Sequence, residues 1–306
     1  MLDHFAGWVR MERSHRGRGR LARWIGRNWA RVDYGFRIEP TWLELVQLDI
    51  PIANLPEPFA GYRMVQLTDL HCGRHLPSAY LQEVVETAQK QDADVIVLTG
   101  DFIHRGYKHI GEAARAVGKL KAADGVYAVL GNHDYSVRNA LGIRRYSDLH
   151  RAVTEALQEQ GIRVLHNEHL SLKRGDACIN LVGIADLWSR ECDPKRAFCG
   201  VNGEWPNIVL AHNPCTVELL DGWRCDLVLS GHTHGGQLHV PGVGRPALGK
   251  KARRFAAGLY RCKQGSLLYV NRGIGYGFRF RFGVRPEVAV FSLQPADRVE
   301  VRQTNR

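Results

Sequence analysis

The sequence predicts an α/β protein. Three observations carry that expectation: short apolar runs recur from residue 62 onward, polar hydrogen-bonding residues end each run, and helical patterns separate the early runs. Residues 62–68 read as the first strand, and residues 95–99 as a strand buried on both faces. Residues 126–130, 178–182, 208–211 and 227–230 follow in the same style, and residues 267–270 and 288–291 close the series. Between the first two strands, Ser78 is placed to cap a helix whose Leu81, Val84, Val85 and Ala88 fall on one face. Residues 111–122 and 149–160 carry similar patterns. The last third has more strands than helices, with Gly and Pro dense between 231 and 249 and no internal repeat.

Composition narrows the class. At 306 residues, 44% hydrophobic and 24% charged, the chain has ample apolar material for a buried core, which excludes global disorder and fibrous repeats. No apolar run approaches the ~20 residues that span a bilayer. The N-terminus carries arginines without an apolar stretch or a small-residue cleavage site, so a secretory signal is not expected. The seven cysteines are odd in number and lack a C-x-x-C pair, which argues against a disulfide framework and for a soluble protein of the reducing cytoplasm.

The net charge of +11 is uneven. Residues 1–40 hold nine arginines against four acids, and residues 245–306 hold fourteen basic residues against three acids, around a mildly acidic centre. Basic ends suit an anionic partner, lipid phosphate or nucleic acid, and equally suit a solvated surface.

The chemistry lies after the strands. Asp69 and His71 follow the first, Gly100-Asp101 the second, and Gly131-Asn132-His133-Asp134 the third. His212 follows the fifth, and Gly231-His232-Thr233-His234 the sixth. In open α/β sheets functional groups gather outside the carboxyl ends of strands. Any one of these signals is commonly a turn or a satisfied polar group. Five in succession point to a metal site, and two Asp, four His and one Asn suffice for two divalent ions if one carboxylate bridges them.

These blocks resemble the calcineurin-like metallophosphoesterase superfamily, over about residues 60–292. The string from Ser230 to Gln237, with Asn271 to Gly275 and Arg285 to Glu287 downstream, resembles more specifically its bacterial YkuE/YaeI-type branch, which is related to UDP-2,3-diacylglucosamine pyrophosphatase. The resemblance implies a metallophosphoesterase β-sandwich flanked by helices, in α/β-β/α layers. It implies Asp69, His71 and His234 on one metal, Asn132, His212 and His232 on the other, and Asp101 bridging. It also implies His133 as the catalytic acid facing substrate, with Asp134 orienting it by hydrogen bonding. The reaction implied is hydrolysis of a phosphodiester or pyrophosphate by metal-activated hydroxide. Mn²⁺ is the favoured ion, with Fe or Zn²⁺ as alternatives for a donor set without thiolates.

Further residues sit near these blocks. His75, His104 and His239, and Arg74, Arg105 and Arg272, are candidate substrate contacts, the arginines because a guanidinium holds phosphate bidentately. Each competes with an ordinary solvated-loop reading. Cys72 reads as structural.

Residues 1–45 form a basic N-terminal extension ahead of a catalytic domain at 46–306. Within it, residues 20–32 fit a two-faced helix, with Leu21, Ile25, Trp29 and Val32 on one side, Trp24 at the border, and Arg20, Arg23, Arg27 and Arg31 opposite. That composition suits peripheral attachment to the inner membrane face and a lipid-linked substrate. The competing readings are a helix packed on the domain, a nucleotide or nucleic-acid phosphodiesterase, and a non-catalytic scaffold. The last should show eroded ligands, and none is missing.

Overall fold

The computed structural model describes residues 29–262 and 265–298. Two six-stranded mixed sheets face each other. The first has the order β1 (Glu44–Ile52), β12 (Glu287–Pro295), β2 (Tyr62–Leu67), β3 (Val95–Thr99), β4 (Val126–Val129) and β5 (Arg163–Val164). The second has the order β10 (Gly258–Arg261), β11 (Leu267–Val270), β9 (Leu227–Ser230), β8 (Asn207–Ala211), β7 (Ala177–Ile184) and β6 (Glu168–Arg174). β2 through β5 run parallel, as do β7, β8, β9 and β11, so each sheet gathers its carboxyl ends along one edge.

Alternation along each strand divides the core. Val95 and Val97 of β3 pack with Leu227 and Leu229 of β9 between the sheets. Ile96 and Leu98 turn outward, onto α2 (Ser78–Gln89), α3 (Ile110–Val117) and α4 (Leu149–Gln158). On the far side, Val228 packs with Ala197 of α5 (Pro194–Ala197) and with Phe255, which follows α6 (Lys250–Arg254). Helices therefore cover both outer faces of the sandwich, as expected. Burying each large aliphatic side chain contributes ~1.5–3 kcal/mol, so the interior strands form a rigid base for what their ends carry.

Some local expectations shift. Ser78 is the first residue of α2, behind an N-cap Pro77, and its hydroxyl donates to Glu112 across the helix pair at 3.1 Å instead of capping. α3 stops at Val117, short of residue 122, because the chain turns at Gly118. The strands absent from the sequence reading, β1, β5, β6 and β10, are the four sheet edges.

Residues 20–28 of the two-faced segment lie outside the described residues. Residues 29–37 are helical (α1). α1 is tied to the domain on one side only: Tyr34 meets Trp42 and Phe282 edge-on, and Phe36 meets Phe280 at 4.8 Å. Trp29 stays 67% exposed and Val32 43%. The expected domain boundary at 45/46 falls inside β1, which pairs with β12 from Glu44↔Glu287 onward.

Candidate metal centre

The carboxyl ends of β2, β3, β4, β8 and β9 meet at one rim of the sandwich, and all seven expected ligands converge there. Asp69, Asp101 and His212 are buried, and only His232 is partly exposed. His234 Nε2 stands 3.2 Å from Asp69 Oδ1 and 2.9 Å from His71 Nε2. His232 Nδ1 stands 2.8 Å from Asn132 Oδ1 and 3.3 Å from His212 Nε2. Asp101 Oδ2 lies between these two groups, 3.4 Å from His71 Nε2 and 3.3 Å from His212 Nε2. Donors bound at ~2.0–2.2 Å around one ion lie about 3 Å apart, so these separations suit metal ligation.

Neighbouring groups set which atom each ligand presents. His212 Nδ1 is 2.7 Å from the Thr99 carbonyl, and a proton donated there leaves Nε2 as the ligand atom. Asn132 Nδ2 donates to the Val137 carbonyl at 2.7 Å, which turns Oδ1 toward His232.

Reaching this convergence bends the backbone. Asp69, His71, Asp101, His232 and His234 all have φ between 48° and 70°, a left-handed conformation uncommon outside glycine. The motif glycines serve close approach. A Cβ on Gly131 would lie 2.2 Å from Asp101 Oδ1, and one on Gly231 would lie 2.2 Å from Asp69 Oδ2. Glycine is required there because the turn packs directly against a ligand carboxylate.

Burial and mutual proximity set the charges of these groups. Burial pushes Asp101 up, yet His212 and its other imidazole neighbours outweigh it and hold the carboxyl well below its usual range. Asp69 is held low in the same way by His234 and His71. Burial drives His232 down to about 3, helped by His212, and drives His234 well below its ordinary value. The Nε2 atoms of His71 and His234, 2.9 Å apart, are close enough to share a proton or a cation between them. The donor set and its field fit divalent ions.

The residues around the ligands divide. His133 Nδ1 is 2.8 Å from the His104 carbonyl, which orients the ring and leaves Nε2 without a partner among the described residues. Asp134 does not orient His133, which corrects the expectation from the motif. Its carboxylate accepts backbone N–H groups of Asp101 (2.8 Å), Phe102 (3.0 Å), Ile103 (3.3 Å) and Gly131 (2.9 Å). It is a strut under the turn that carries Asp101. Burial and Asp101 push its carboxyl up to about 8, against the pull of those N–H donors.

Arg272 is not free for substrate, because Glu44 and Glu287 hold its guanidinium. His239 is exposed and outside the linings of the cavities at the centre. Arg74, His75 and His104 line a small recess with His71, and His104 and Arg105 line a second cavity with His133. Sequence reasoning missed Trp188, whose ring meets His232 edge-on at 4.5 Å, and Arg138, which lines the cavity over the ligands. Neither stands in a motif block, so nothing local marks them.

A family model described as calcineurin-like phosphoesterase matches residues 62–236. The chain is 32% identical over 298 residues to UDP-2,3-diacylglucosamine pyrophosphatase LpxG of Chlamydia muridarum (strain MoPn / Nigg), across 83% of this chain and 90% of that relative. It is 31% identical over 256 residues to phosphodiesterase YaeI of Escherichia coli (strain K12), with the same coverage of each chain. To the uncharacterized metallophosphoesterase YkuE of Bacillus subtilis (strain 168) it is 30% identical over 267 residues, across 85% of this chain and 90% of the other.

Two substitutions test the architecture. Gly231→Ala should displace Asp69 and lower bound metal while circular dichroism stays native; full metal occupancy by elemental analysis would contradict the close-packing argument. Asp134→Ala strands four buried N–H groups, each costing ~1–3 kcal/mol, so denaturant unfolding should show at least ~3 kcal/mol lost. A stable variant defective only in turnover would instead restore the His133-orienting role.

Proposed function

The chain belongs to the calcineurin-like phosphoesterase family and is a hydrolase, and from that premise we propose that it cleaves a phosphodiester or pyrophosphate bond at a centre of two divalent ions. The observation that carries this reading is Asp101 Oδ2, set about equally far from His71 Nε2 and His212 Nε2. Asp69, His71 and His234 would hold one ion, Asn132, His212 and His232 the other, and Asp101 both. Such ions, when bound, supply Lewis-acid polarisation of phosphoryl oxygens and acidify water. Oxygen and nitrogen donors without thiolate suit Mn²⁺, Fe or Zn²⁺, and Mn²⁺ is the ion we favour.

The protein's own part centres on His133. With Nδ1 committed to the His104 carbonyl, Nε2 is the atom that carries a proton to the departing oxygen. Burial lowers the affinity of His133 for that proton, and Asp101 opposes the loss. An arriving phosphate anion acts in the same direction as Asp101 and favours the protonated ring. Trp188, against His232, narrows water access on the other side of the centre.

We also read the N-terminal segment as a peripheral attachment to an anionic membrane, and a lipid-linked substrate of the kind named for the chlamydial relative as the leading natural substrate. Supporting this, Trp29, Val32, Phe36 and Ile38 are exposed beside Arg31 and Arg37. Phe36 packs on Phe280, which stacks with Phe278, and Phe278 borders the recess that holds His71. The aromatic face thus continues to the mouth of the centre. Among the described residues no helix is long and apolar enough to cross a membrane.

With Mn²⁺ added, the protein should hydrolyse an aryl phosphodiester. His133→Ala should keep its metal while kcat falls ~10²–10⁴-fold, and the loss should shrink for a good leaving group, which needs little protonation. Loss of metal, or equal defects for good and poor leaving groups, would refute the general-acid role.

The membrane reading predicts that the protein co-floats with anionic vesicles and that Trp29→Ala with Val32→Ala weakens this at high salt, where aromatic insertion survives screening. Indifference to vesicles, with steeply salt-dependent binding to polynucleotides, would favour a nucleic-acid phosphodiesterase instead.

A further inference from the structure

We propose that the cavity beside His133 is a binding site for the second phosphoryl group of a diphosphate substrate; this rests on the phosphoesterase reading above. The cavity, about 440 Å³, is lined by Arg105, Arg138 and Arg145, together with Tyr146 and His133. It adjoins the metal centre directly: His133 and Arg138 also line the cavity of about 330 Å³ over the ligands. No acidic residue is in its lining.

The charge state of this cavity is what calls for a ligand. Two other arginines near the site are neutralised, Arg144 by Glu191, and Arg272 by Glu44 and Glu287. Among the described residues Arg105, Arg138 and Arg145 have no carboxylate in ion-pair contact. Arg138 reaches only the His104 carbonyl, at 3.4 Å, and Arg145 lies over the Tyr146 ring. Burial, and then the positive charges of Arg105 and Arg145, push the Arg138 guanidinium below its ordinary value. Like charges lining one cavity are unfavourable without an anion among them.

The loop that carries Arg138 and Arg145 is also held in place. Val137 N donates to the Asn132 carbonyl at 2.8 Å, and the Asn132 side chain donates back to the Val137 carbonyl. Val137 bridges to Arg144, which sets Arg138 and Arg145 on neighbouring stretches of one loop. The loop is therefore clamped to a metal ligand. Guanidinium groups in this arrangement match the bidentate demands of phosphate better than those of a monovalent anion. Because His133 belongs to both walls, an anion here lies next to the phosphorus under attack, as the neighbouring phosphoryl group of an anhydride would.

The test is calorimetric titration of chelator-dialysed protein with inorganic pyrophosphate and with methylphosphonate. Wild type should bind pyrophosphate at least 10-fold more tightly, and Arg138→Gln with Arg145→Gln should abolish that preference while still taking up Mn²⁺. Should the double variant fail to fold, Arg145→Gln alone, at an exposed position, should reduce the preference at least threefold. Equal affinity of wild type for the two anions, or an unchanged preference in the folded variant, overturns the proposal. Hydrolysis of the aryl diester by Mn²⁺-loaded wild type reports separately on the phosphoesterase reading, so the two fail independently.

Discussion

Everything at the candidate metal centre depends on one carboxylate, Asp101, being brought between two sets of imidazoles. That placement requires the turns after β2, β3 and β9 to bend sharply enough that neighbouring side chains point inward, and the molecule achieves it by left-handed backbone at five of the candidate ligands. A left-handed conformation costs an L-residue ~1–2 kcal/mol. The unfavourable sum is tolerated because the strands below are fully buried and cannot yield. Local strain at a functional site is thus offset by packing elsewhere.

Hydrogen bonds between turns convert that strained set into one unit. Asp69 N donates to the Gly100 carbonyl and His71 N to the Asp101 carbonyl, each at 2.9 Å. Gly231 N donates to the His212 carbonyl, and His232 N donates to the Asp69 carboxylate. Asp134 completes the frame from beneath. On the far side Arg281, fully buried, donates to the carbonyls of Arg272, Gly273 and Gly275, and the Gly275 N–H in turn donates to the Asp69 carbonyl. Burial lowers the Arg281 guanidinium to about 10, so it stays charged near neutral pH and keeps its donors. The loop following β11 is thereby pinned against the first ligand.

The surroundings of the centre are asymmetric. The sheet-two side offers Trp188 against His232, an apolar wall. The β4 side offers His133 and three arginines without carboxylate partners. A phosphate-bearing substrate would therefore meet an aromatic edge and a cationic one.

Much of this was legible in the residues alone. β3, β9 and β11 run where continuous apolar stretches predict strands, because a strand buried on both faces must be apolar at every position. The ligand types, one step past successive strands, are equally local. The edge strands β1, β5, β6 and β10 were not visible, since a strand with one exposed face mixes polar and apolar residues, and β1 carries Pro51 besides. Asp134 reads locally as a partner for the adjacent His133, whereas the fold gives it the backbone of residues 101–103. Arg272 looks free until β12 brings Glu287 beside it, and Arg138 and Arg145 become neighbours only when their loop closes on Asn132. By itself the sequence determined which chemistry stands at which strand end, because periodicity and residue type act over a few positions. The tertiary structure decided which charge meets which, because those partners lie beyond the reach of local periodicity and only strand register and loop closure bring them together.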